Sequence, residues 1–243
     1  MVEIDLTSIE YSMLGMNNRK LYFRKNNSDP AVIKQIFERK DYNLGALLRA
    51  KDINNEYLTI INNQQTPLII DCGANIGASS IWFHSLFPKS KIIAIEPDKD
   101  SFELLVKNTF DLPITPIHAA ISNISGRGIL VDGGNGAWSN YIANENQPDL
   151  KGQDTQILDM KSILKQEANN KPFLVKIDIE GGEKQLFESN TEWFDQFYLA
   201  IIELHDWLFP KKRTSQNFLK TIASLDRDFV SIEENIFSIQ NKD

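Results

Sequence analysis

Residues 68–77 read Leu-Ile-Ile-Asp-Cys-Gly-Ala-Asn-Ile-Gly, and this stretch decides the fold class. The apolar run at its start indicates a buried strand, and a helical pattern follows from Ile76 to Phe87. Gly73 and Gly77 separate the two and favour a tight turn whose backbone amides open onto the helix N-terminus. Open α/β sheets bind ligands at the carboxyl ends of their strands. The stretch therefore predicts the first strand, the ligand loop and the first helix of an α/β domain.

Apolar runs alternate with amphipathic segments along the rest of the chain from residue 67. They predict helices at 98–110 and 183–188, and strands at 91–95, 114–122, 173–179 and 198–204. Strands that are apolar on both faces and alternate with helices favour a parallel sheet covered on both sides. Residues 229–239 predict a terminal hairpin that adds an antiparallel strand. We expect an α/β, doubly wound, mostly parallel sheet within a domain of residues 67–243.

Two segments do not follow this alternation of predicted strands and helices. Residues 1–66 predict a short strand at Leu21–Phe23 and a helix over Ala31–Lys40, with too few apolar residues for a separate core. We expect a mainly helical cap that packs on the main domain. Residues 123–157 favour a glycine-rich hairpin or an active-site flap, because they contain Gly126, Gly128, Gly133, Gly134 and Gly136.

Composition and charge narrow the class of protein. The 243 residues carry 26 Lys and Arg against 33 Asp and Glu, a formal net charge of −7 that repels phosphate backbones. No apolar run approaches the ~20 residues of a membrane-spanning helix, and the first residues, MVEIDLTSIE, lack a secretion-signal pattern. The one cysteine, Cys72, can form no internal disulfide. We expect a cytoplasmic protein with no membrane span and no nucleic acid partner.

A carboxylate at the end of the second strand predicts a ribose contact. Glu96 follows Gly73 by 23 residues, a spacing at which a carboxylate accepts hydrogen bonds from a ribose diol. The dinucleotide fingerprint has a glycine at the place of Asn75, whose side chain would crowd a diphosphate. Asp71 adds negative charge and can pair with an ammonium. The cationic cofactor S-adenosylmethionine therefore fits better than NAD, and a ligand-free tight turn is the remaining alternative.

A second polar run, Lys176-Ile177-Asp178-Ile179-Glu180-Gly181-Gly182-Glu183, ends the fourth predicted strand. Strand alternation places Lys176, Asp178 and Glu180 on one side, and charged groups in a buried strand cost free energy unless they are paired. One interpretation is a structural ion pair of Lys176 with Asp178 or Glu183. The other is a pair of carboxylates facing the cofactor cleft, of which Asp178 or Glu180 takes a proton from a substrate hydroxyl. Carboxylates alone are a weak indication of Mg²⁺, so we expect no metal.

A third group, Glu203-Leu204-His205-Asp206, ends the fifth predicted strand. Glu203 and His205 share a face, and a histidine beside a carboxylate is a candidate general base near neutral pH. The other histidines, His84 and His118, are assigned structural roles. Aromatic side chains that can stack on an acceptor, or simply pack, are Trp138, Tyr141, Trp207 and Phe209.

Taken together, these motifs resemble the FkbM-type family of S-adenosylmethionine-dependent methyltransferases. The resemblance covers roughly residues 20–210 and rests on DCGANIG (71–77), AIEPDKDSFELLVKN (94–108), HAAIS (118–122), LVKIDIEGGE (174–183) and IELHDW (202–207). It implies a Rossmann-like sheet of seven strands. It also implies methyl transfer to a hydroxyl oxygen, on acceptors as different as glycan sugars and polyketide or peptide natural products.

The resemblance assigns site residues by position. The family's cofactor loop corresponds to Asp71, Gly73, Asn75 and Gly77, and its ribose-binding carboxylate corresponds to Glu96. Its polar run corresponds to Lys176, Asp178, Glu180 and Glu183, and its pair at the end of the fifth strand corresponds to Glu203 and His205. It does not decide which of Asp178, Glu180 and His205 is the base.

Three further questions stay open at the level of sequence. An NAD-dependent oxidoreductase and a non-catalytic cofactor-binding module are the rival classes. A sugar hydroxyl is the preferred acceptor because the chain is acidic and lacks a large apolar surface, and a polyketide or peptide natural product is the alternative. The oligomeric state is not indicated.

Overall fold

A computed structural model describes residues 6–13, 16–131, 141–143 and 152–242. The first part of the chain forms β1 (Leu6–Met13), β2 (Met16–Arg24), α1 (Asp29–Ile33) with a π-helical continuation (Lys34–Arg39), a 3₁₀ turn (Leu44–Ala46) and α2 (Ala50–Asn62). The middle part forms β3 (Thr66–Cys72), α3 (Ala78–Leu86), β4 (Lys91–Glu96), α4 (Lys99–Thr109), β5 (Ile114–His118), β6 (Ala120–Ser122), β7 (Gly126–Val131) and β8 (Tyr141–Ala143). The last part forms β9 (Gln153–Asp159), α5 (Met160–Gln166), β10 (Asn170–Ile177), α6 (Glu183–Leu186), a 3₁₀ turn (Thr191–Gln196), β11 (Leu199–Glu203), α7 (Gln216–Ile222), β12 (Arg227–Ile232) and β13 (Asn235–Gln240).

The central sheet has seven strands in the order β12-β13-β11-β10-β3-β4-β5. Neighbours from β11 to β5 are parallel, whereas β13 runs antiparallel to both β11 and β12. The chain builds the sheet outward in one direction through β4 and β5 and in the other through β10 and β11. The switch point therefore lies between β3 and β10, and parallel sheets of this kind bind ligands outside the carboxyl ends of the strands at that point. The predicted doubly wound α/β fold with a terminal antiparallel hairpin is confirmed.

The inner strands β3, β4, β10 and β11 are buried on both faces, which is why they read as continuous apolar runs. Ile69 and Ile70 are both fully buried but belong to two different apolar clusters, one on each face of the sheet. The cluster on the Ile69 face includes residues of α2, α3 and α4, and the cluster on the Ile70 face includes residues of α5, α6 and α7. Burying one such isoleucine stabilises the fold by about 1.5–3 kcal/mol.

The predicted third strand, residues 114–122, is interrupted at Ala119. Ala119 N–H donates to Ile117 O (3.1 Å), a three-residue turn that redirects the chain. β5 stays in the central sheet, while β6 joins a four-stranded sheet in the order β6-β9-β7-β8. The run looked like one strand because its apolar pattern continues through the turn. β7 and β9 are antiparallel, and the glycines Gly133, Gly134 and Gly136 lie outside the described residues.

The N-terminal segment contains a hairpin, β1–β2, of which the sequence predicted only the part around Leu21. The helix expected after Pro30 is present as α1 and its π-helical continuation. Asn108 on α4 joins the hairpin to the main domain, because its side chain accepts from Tyr22 N–H (2.8 Å) and donates to Tyr22 O (2.9 Å). Leu21 belongs to the same apolar cluster as Ile69 of β3. The segment thus shares the core of the sheet, and a domain boundary at residue 66 stays a prediction.

Among the described helices, none has the length and apolar character needed to cross a bilayer.

Candidate active site

A cavity of about 840 Å³ opens at the carboxyl ends of β3, β4, β10 and β11. Cavities that bind small molecules usually measure ~300–1,000 Å³. The loops that follow these four strands form much of the wall, and Val32, Ile36 and Tyr42 of the N-terminal segment form part of it. The cavity therefore lies at the switch point of the sheet, where a ligand is expected.

Gly73 is the point at which the loop after β3 touches the turn after β10. Its φ is 79°, and a Cβ at this position would lie 1.8 Å from the carbonyl oxygen of Asp178. The amides of Gly73 and Ala74 both donate to Ile95 O (3.0 Å), which fastens the loop to β4. Only glycine combines a left-handed backbone with so close an approach. The loop has the tight turn that the sequence indicates.

Of the other two loop residues, Gly77 packs against α4 and Asn75 faces the cavity. Gly77 begins α3 with a φ of 89°, and a Cβ there would lie 2.9 Å from Leu105 Cδ1, so this glycine serves the packing of α3 on α4. Asn75 lines the cavity. Its Oδ1 is buried and has no hydrogen-bond partner among the described residues. A buried acceptor of this kind fits a ligand that brings N–H donors.

Asp71 lies beneath the loop and does not line the cavity. The side chain is fully buried, and its Oδ2 accepts from the hydroxyls of Ser79 and Ser80, both at 2.6 Å. Its Oδ1 lies 3.4 Å from Lys176 Nζ. The expected contact between Asp71 and a cofactor ammonium is therefore not supported by this geometry. The carboxylate instead holds the start of α3 against β10.

Glu96 ends β4 and lines the cavity beside the glycine loop. Its carboxylate accepts from Asn75 N–H and from Asp98 N–H, both at 2.8 Å, so each oxygen is oriented by the backbone. Burial raises the pKa of Glu96 to about 7, although the two backbone hydrogen bonds lower it. Each oxygen retains a lone pair that can accept from a ligand hydroxyl.

The predicted alternation along the polar run ends at Ile177, where β10 ends. Glu180 has a φ of 53° and Gly181 a φ of 91°, so Asp178 and Glu180 lie on a turn and not on the face of a strand. The turn packs against the loop after β11, because a Cβ on Gly181 would lie 2.5 Å from the Phe209 ring. Asp178 and Glu180 still line the cavity, as expected. They do so because the turn directs them there, and not because they alternate along a strand.

Lys176 is buried between two carboxylates. Its Nζ lies 3.4 Å from Asp71 Oδ1 and 3.2 Å from Asp178 Oδ2, and it donates to Gly73 O at 2.7 Å. Burial lowers the pKa of Lys176, but the charges of Asp178 and Asp71 outweigh it, and the pKa lies well above its usual value. Of the two interpretations of this lysine, the geometry matches the structural ion pair: Lys176 orients Asp178 and the glycine loop.

His205 is buried among carboxylates at the end of β11. Its Nδ1 donates to Glu183 Oε1 (2.9 Å), and its Nε2 lies 3.3 Å from Glu180 Oε2 and 3.6 Å from oxygens of both Asp178 and Glu203. Burial lowers the pKa of His205, but the hydrogen bond to Glu183 and the nearby Glu203 carboxylate outweigh it and raise the pKa to about 11. A protonated imidazole has no lone pair with which to act as a base near neutral pH. This arrangement disfavours His205 as the proton acceptor.

The remaining carboxylates are crowded. Burial, followed by the charge of Asp178, raises the pKa of Glu180 to about 9. One ligand atom each from Asp178, Glu203 and His205 lies within 4.8 Å of the other two, so these residues have the arrangement of a metal donor set.

Tyr42 is a cavity residue that the sequence analysis missed. It comes from the N-terminal segment, is buried, and lines the cavity. Burial raises the pKa of Tyr42, and the charges of Lys176 and Asp178 act on it. No local pattern around Tyr42 distinguishes it from a packing residue, so only the folded chain reveals its place.

The other candidate side chains divide between the cavity wall and the rest of the molecule. Trp207 and Phe209 line the cavity. His84 on α3 and His118 on β5 lie outside its described lining, and the His118 ring stacks on Phe102 with centroids 4.8 Å apart. Trp138 lies outside the described residues, as does the side chain of Tyr141.

Several known proteins are similar to this chain. It is 25% identical over 196 residues to hexuronic acid methyltransferase AglP of Haloferax volcanii, a match that covers 74% of this chain and 77% of the relative. It is 27% identical over 139 residues to methyltransferase sdnD of Sordaria araneosa, which covers 55% of this chain and 50% of that protein. Among solved structures, a methyltransferase from Geobacter sulfurreducens matches 89% of this chain and 90% of its own with a TM-score of 0.38 and 12% identity.

The family is shown by a match over more than half of the chain. The model of the methyltransferase FkbM domain matches residues 71–231, from Asp71 near the end of β3 to β12. This range contains the glycine loop, Glu96, the turn after β10 and the end of β11. The chain therefore belongs to the FkbM methyltransferase domain family and is a methyltransferase.

Proposed function

We propose that the protein transfers a methyl group from S-adenosylmethionine to a hydroxyl oxygen of a sugar. The observation that carries the cofactor assignment is that Glu96 and the loop of Gly73 and Asn75 face one cavity from adjacent strand ends. Two backbone hydrogen bonds fix the Glu96 carboxylate at the wall of the cavity, and a carboxylate at this strand end can accept hydrogen bonds from a ribose diol. The buried, unpaired Asn75 Oδ1 fits the ammonium or another N–H donor of the same cofactor.

When bound, S-adenosylmethionine supplies a methyl group that is already activated by a positively charged sulfur. The chain must therefore position the acceptor hydroxyl and take up its proton. Asp178 suits this role because it lines the cavity and Lys176 holds its Oδ2 at 3.2 Å. Glu180 is the second carboxylate at this point of the cavity, and its raised pKa makes it the weaker candidate in the free protein.

Two observations support a sugar acceptor. A curated relative is named a hexuronic acid methyltransferase. Trp207 lines the cavity with 63% of its surface exposed, and an exposed aromatic face can stack on a sugar ring. A location in the cytoplasm and the absence of a nucleic acid partner stay predictions of the sequence.

The test is a methyl-transfer assay with acceptors of three classes: uronic acid saccharides, neutral saccharides and a hydroxylated polyketide. We expect S-adenosylhomocysteine to form with a saccharide, and a new O-methyl resonance to appear on that saccharide in its NMR spectrum. Turnover with the polyketide alone would overturn the sugar assignment while leaving the methyltransferase intact. Binding of the cofactor without turnover on any acceptor would favour the non-catalytic module.

A further inference from the structure

Three side chains at the ends of β10 and β11 present ligand atoms to one point. Asp178 Oδ1 and Glu203 Oε1 each lie 3.6 Å from His205 Nε2, and one ligand atom of each residue lies within 4.8 Å of the others. Ligands that bind one ion at ~2.1 Å lie about 3.0 Å apart in octahedral geometry and about 3.4 Å apart in tetrahedral geometry. Coordination would shorten both distances to His205 Nε2 by about 0.2–0.6 Å, and it would also draw together the oxygens of Asp178 and Glu203, which lie within 4.8 Å of each other.

The orientation of His205 is that of a metal ligand. Its Nδ1 donates to Glu183 at 2.9 Å, whereas its Nε2 faces the carboxylate of Glu180 at 3.3 Å and those of Asp178 and Glu203 at 3.6 Å. Metal-binding histidines almost always donate their second ring N–H to a carboxylate, which fixes the ring and leaves the other nitrogen for the ion. The ring is 1% exposed, so surrounding side chains hold this orientation.

The charges at this point are unbalanced. Four carboxylates, those of Asp178, Glu180, Glu183 and Glu203, lie within 3.6 Å of a ring nitrogen of His205. Glu183 is fully buried, and its Oε2 has no hydrogen-bond partner among the described residues. Lys176 lies between Asp71 and Asp178 and neutralises only that side of the group. His205 is itself protonated in the metal-free protein and Glu180 has a raised pKa, so the excess of negative charge rests on Asp178, Glu183 and Glu203, and it is costly without a further cation.

We propose that Asp178, Glu203 and His205 bind one divalent first-row cation of the Mn²⁺ type at the wall of the cavity. Two carboxylates suit a hard ion, and the imidazole shifts the preference from Ca²⁺ and Mg²⁺ toward a transition metal. The ion would displace the proton that His205 Nε2 carries in the metal-free protein. Three protein ligands leave about three positions of a six-coordinate ion open. Because Asp178 and Glu203 both line the cavity, an oxygen of the acceptor can complete the coordination there. Asp178 Oδ1, on the His205 side, would bind the ion, and Oδ2, on the Lys176 side, stays available for the proton of the acceptor. Glu183 is the positioning residue that orients His205.

The test measures Mn²⁺ binding to the full chain after chelator treatment and dialysis, without cofactor or acceptor. Mn²⁺ is titrated by calorimetry and by the loss of the free-ion EPR signal, and pulsed EPR then looks for nitrogen coupling from a bound imidazole. The variants are Glu203→Gln and His205→Asn, and circular dichroism checks that each is folded. Glu188→Gln is the matched control, because Glu188 is exposed and lies outside the group.

We expect one Mn²⁺ per chain with nitrogen coupling, a loss of affinity of at least about 10-fold in Glu203→Gln, and loss of the nitrogen coupling in His205→Asn. The control should bind as the parent does. Absence of binding to the folded parent chain, or equal affinity in Glu203→Gln and Glu188→Gln, would overturn the proposal. Unchanged nitrogen coupling in folded His205→Asn would do the same. Because the assay contains no cofactor, failure here leaves the proposed methyl transfer standing, and failure of methyl transfer leaves the metal site standing.

Discussion

Gly73 and Asp178 approach so closely that no side chain fits between them: a Cβ on Gly73 would lie 1.8 Å from Asp178 O. Asp178 N–H also donates to Cys72 O at 3.1 Å, immediately before the glycine. The cofactor loop after β3 and the acidic turn after β10 are therefore one mechanical unit. Any displacement of the loop therefore moves Asp178, whose carboxylate we propose takes the proton of the acceptor hydroxyl.

Replacing Gly73 by alanine should damage binding and stability together. The left-handed backbone at φ 79° adds strain of about 1–3 kcal/mol for a residue with a Cβ, and the clash with Asp178 adds to it. We expect a lower melting temperature by scanning calorimetry and loss of measurable S-adenosylhomocysteine binding. Gly126→Ala is the matched control, because a Cβ at Gly126 has no atom within 4 Å. A Gly73→Ala protein that binds and melts as the control does would refute the coupling of the two loops.

Glu96 should give cofactor binding a pH dependence. Its raised pKa of about 7 means that the carboxylate is largely protonated at pH 6 and ionised at pH 8. Only the ionised form accepts two hydrogen bonds from a ribose diol, so affinity should increase as the pH rises. For a pKa of 7, the dissociation constant should fall by about 10-fold between pH 6 and pH 8.

Glu96→Gln supplies the control for that experiment, because an amide does not titrate. The variant should bind the cofactor weakly and with a flat pH profile by calorimetry. A flat profile in the parent chain, or the same slope in Glu96→Gln, would show that Glu96 does not contact the cofactor.

Asp178→Asn should separate turnover from cofactor binding. Removing a proton acceptor usually lowers kcat by about 10²–10⁴-fold, and the cofactor contacts that we propose are those of Glu96 and the glycine loop. We expect steady-state assays to show that loss of kcat while calorimetry shows a dissociation constant for S-adenosylhomocysteine within about 3-fold of the parent. Full activity in Asp178→Asn would remove Asp178 from the reaction.

Tyr42→Phe should reduce activity without affecting the fold. The ring packs on Phe83 with centroids 5.3 Å apart, and the backbone carbonyl of Tyr42 accepts from Trp82 Nε1; phenylalanine keeps both contacts. The Tyr42 hydroxyl is close enough to Lys176 and Asp178 for their charges to affect its pKa. If the hydroxyl bonds to a ligand in the cavity, as we propose, its loss should lower kcat/KM by about 10-fold with an unchanged melting temperature. An unchanged kcat/KM would assign Tyr42 to packing alone.

The elements that the sequence predicts well are those with strong local patterns. β3, the glycine loop and α3 follow from one apolar run, two glycines and one helical period, and Glu96 is located by the end of β4. These features depend only on residues that are close together in the sequence, so they can be predicted from the sequence alone. The candidate site residues on the loops after β3, β4, β10 and β11 meet because parallel strands bring their carboxyl ends to one edge.

What the sequence did not predict depends on contacts between distant segments. The turn at Ala119 leaves the apolar pattern of β5 and β6 unbroken, so nothing marks the change of sheet. Asp71 looks like a cofactor ligand until Ser79, Ser80 and Lys176 are seen to enclose it. Tyr42 reaches the cavity only because the N-terminal segment packs over α3.

The most direct test of the account is calorimetric titration of the purified chain with S-adenosylmethionine and S-adenosylhomocysteine, with NAD as the comparison and Glu96→Gln as the control variant. The account predicts one binding site with micromolar affinity for the first two ligands, weakened in Glu96→Gln, and no binding of NAD. Binding of NAD in place of S-adenosylhomocysteine, or no binding of any of the three, would contradict it.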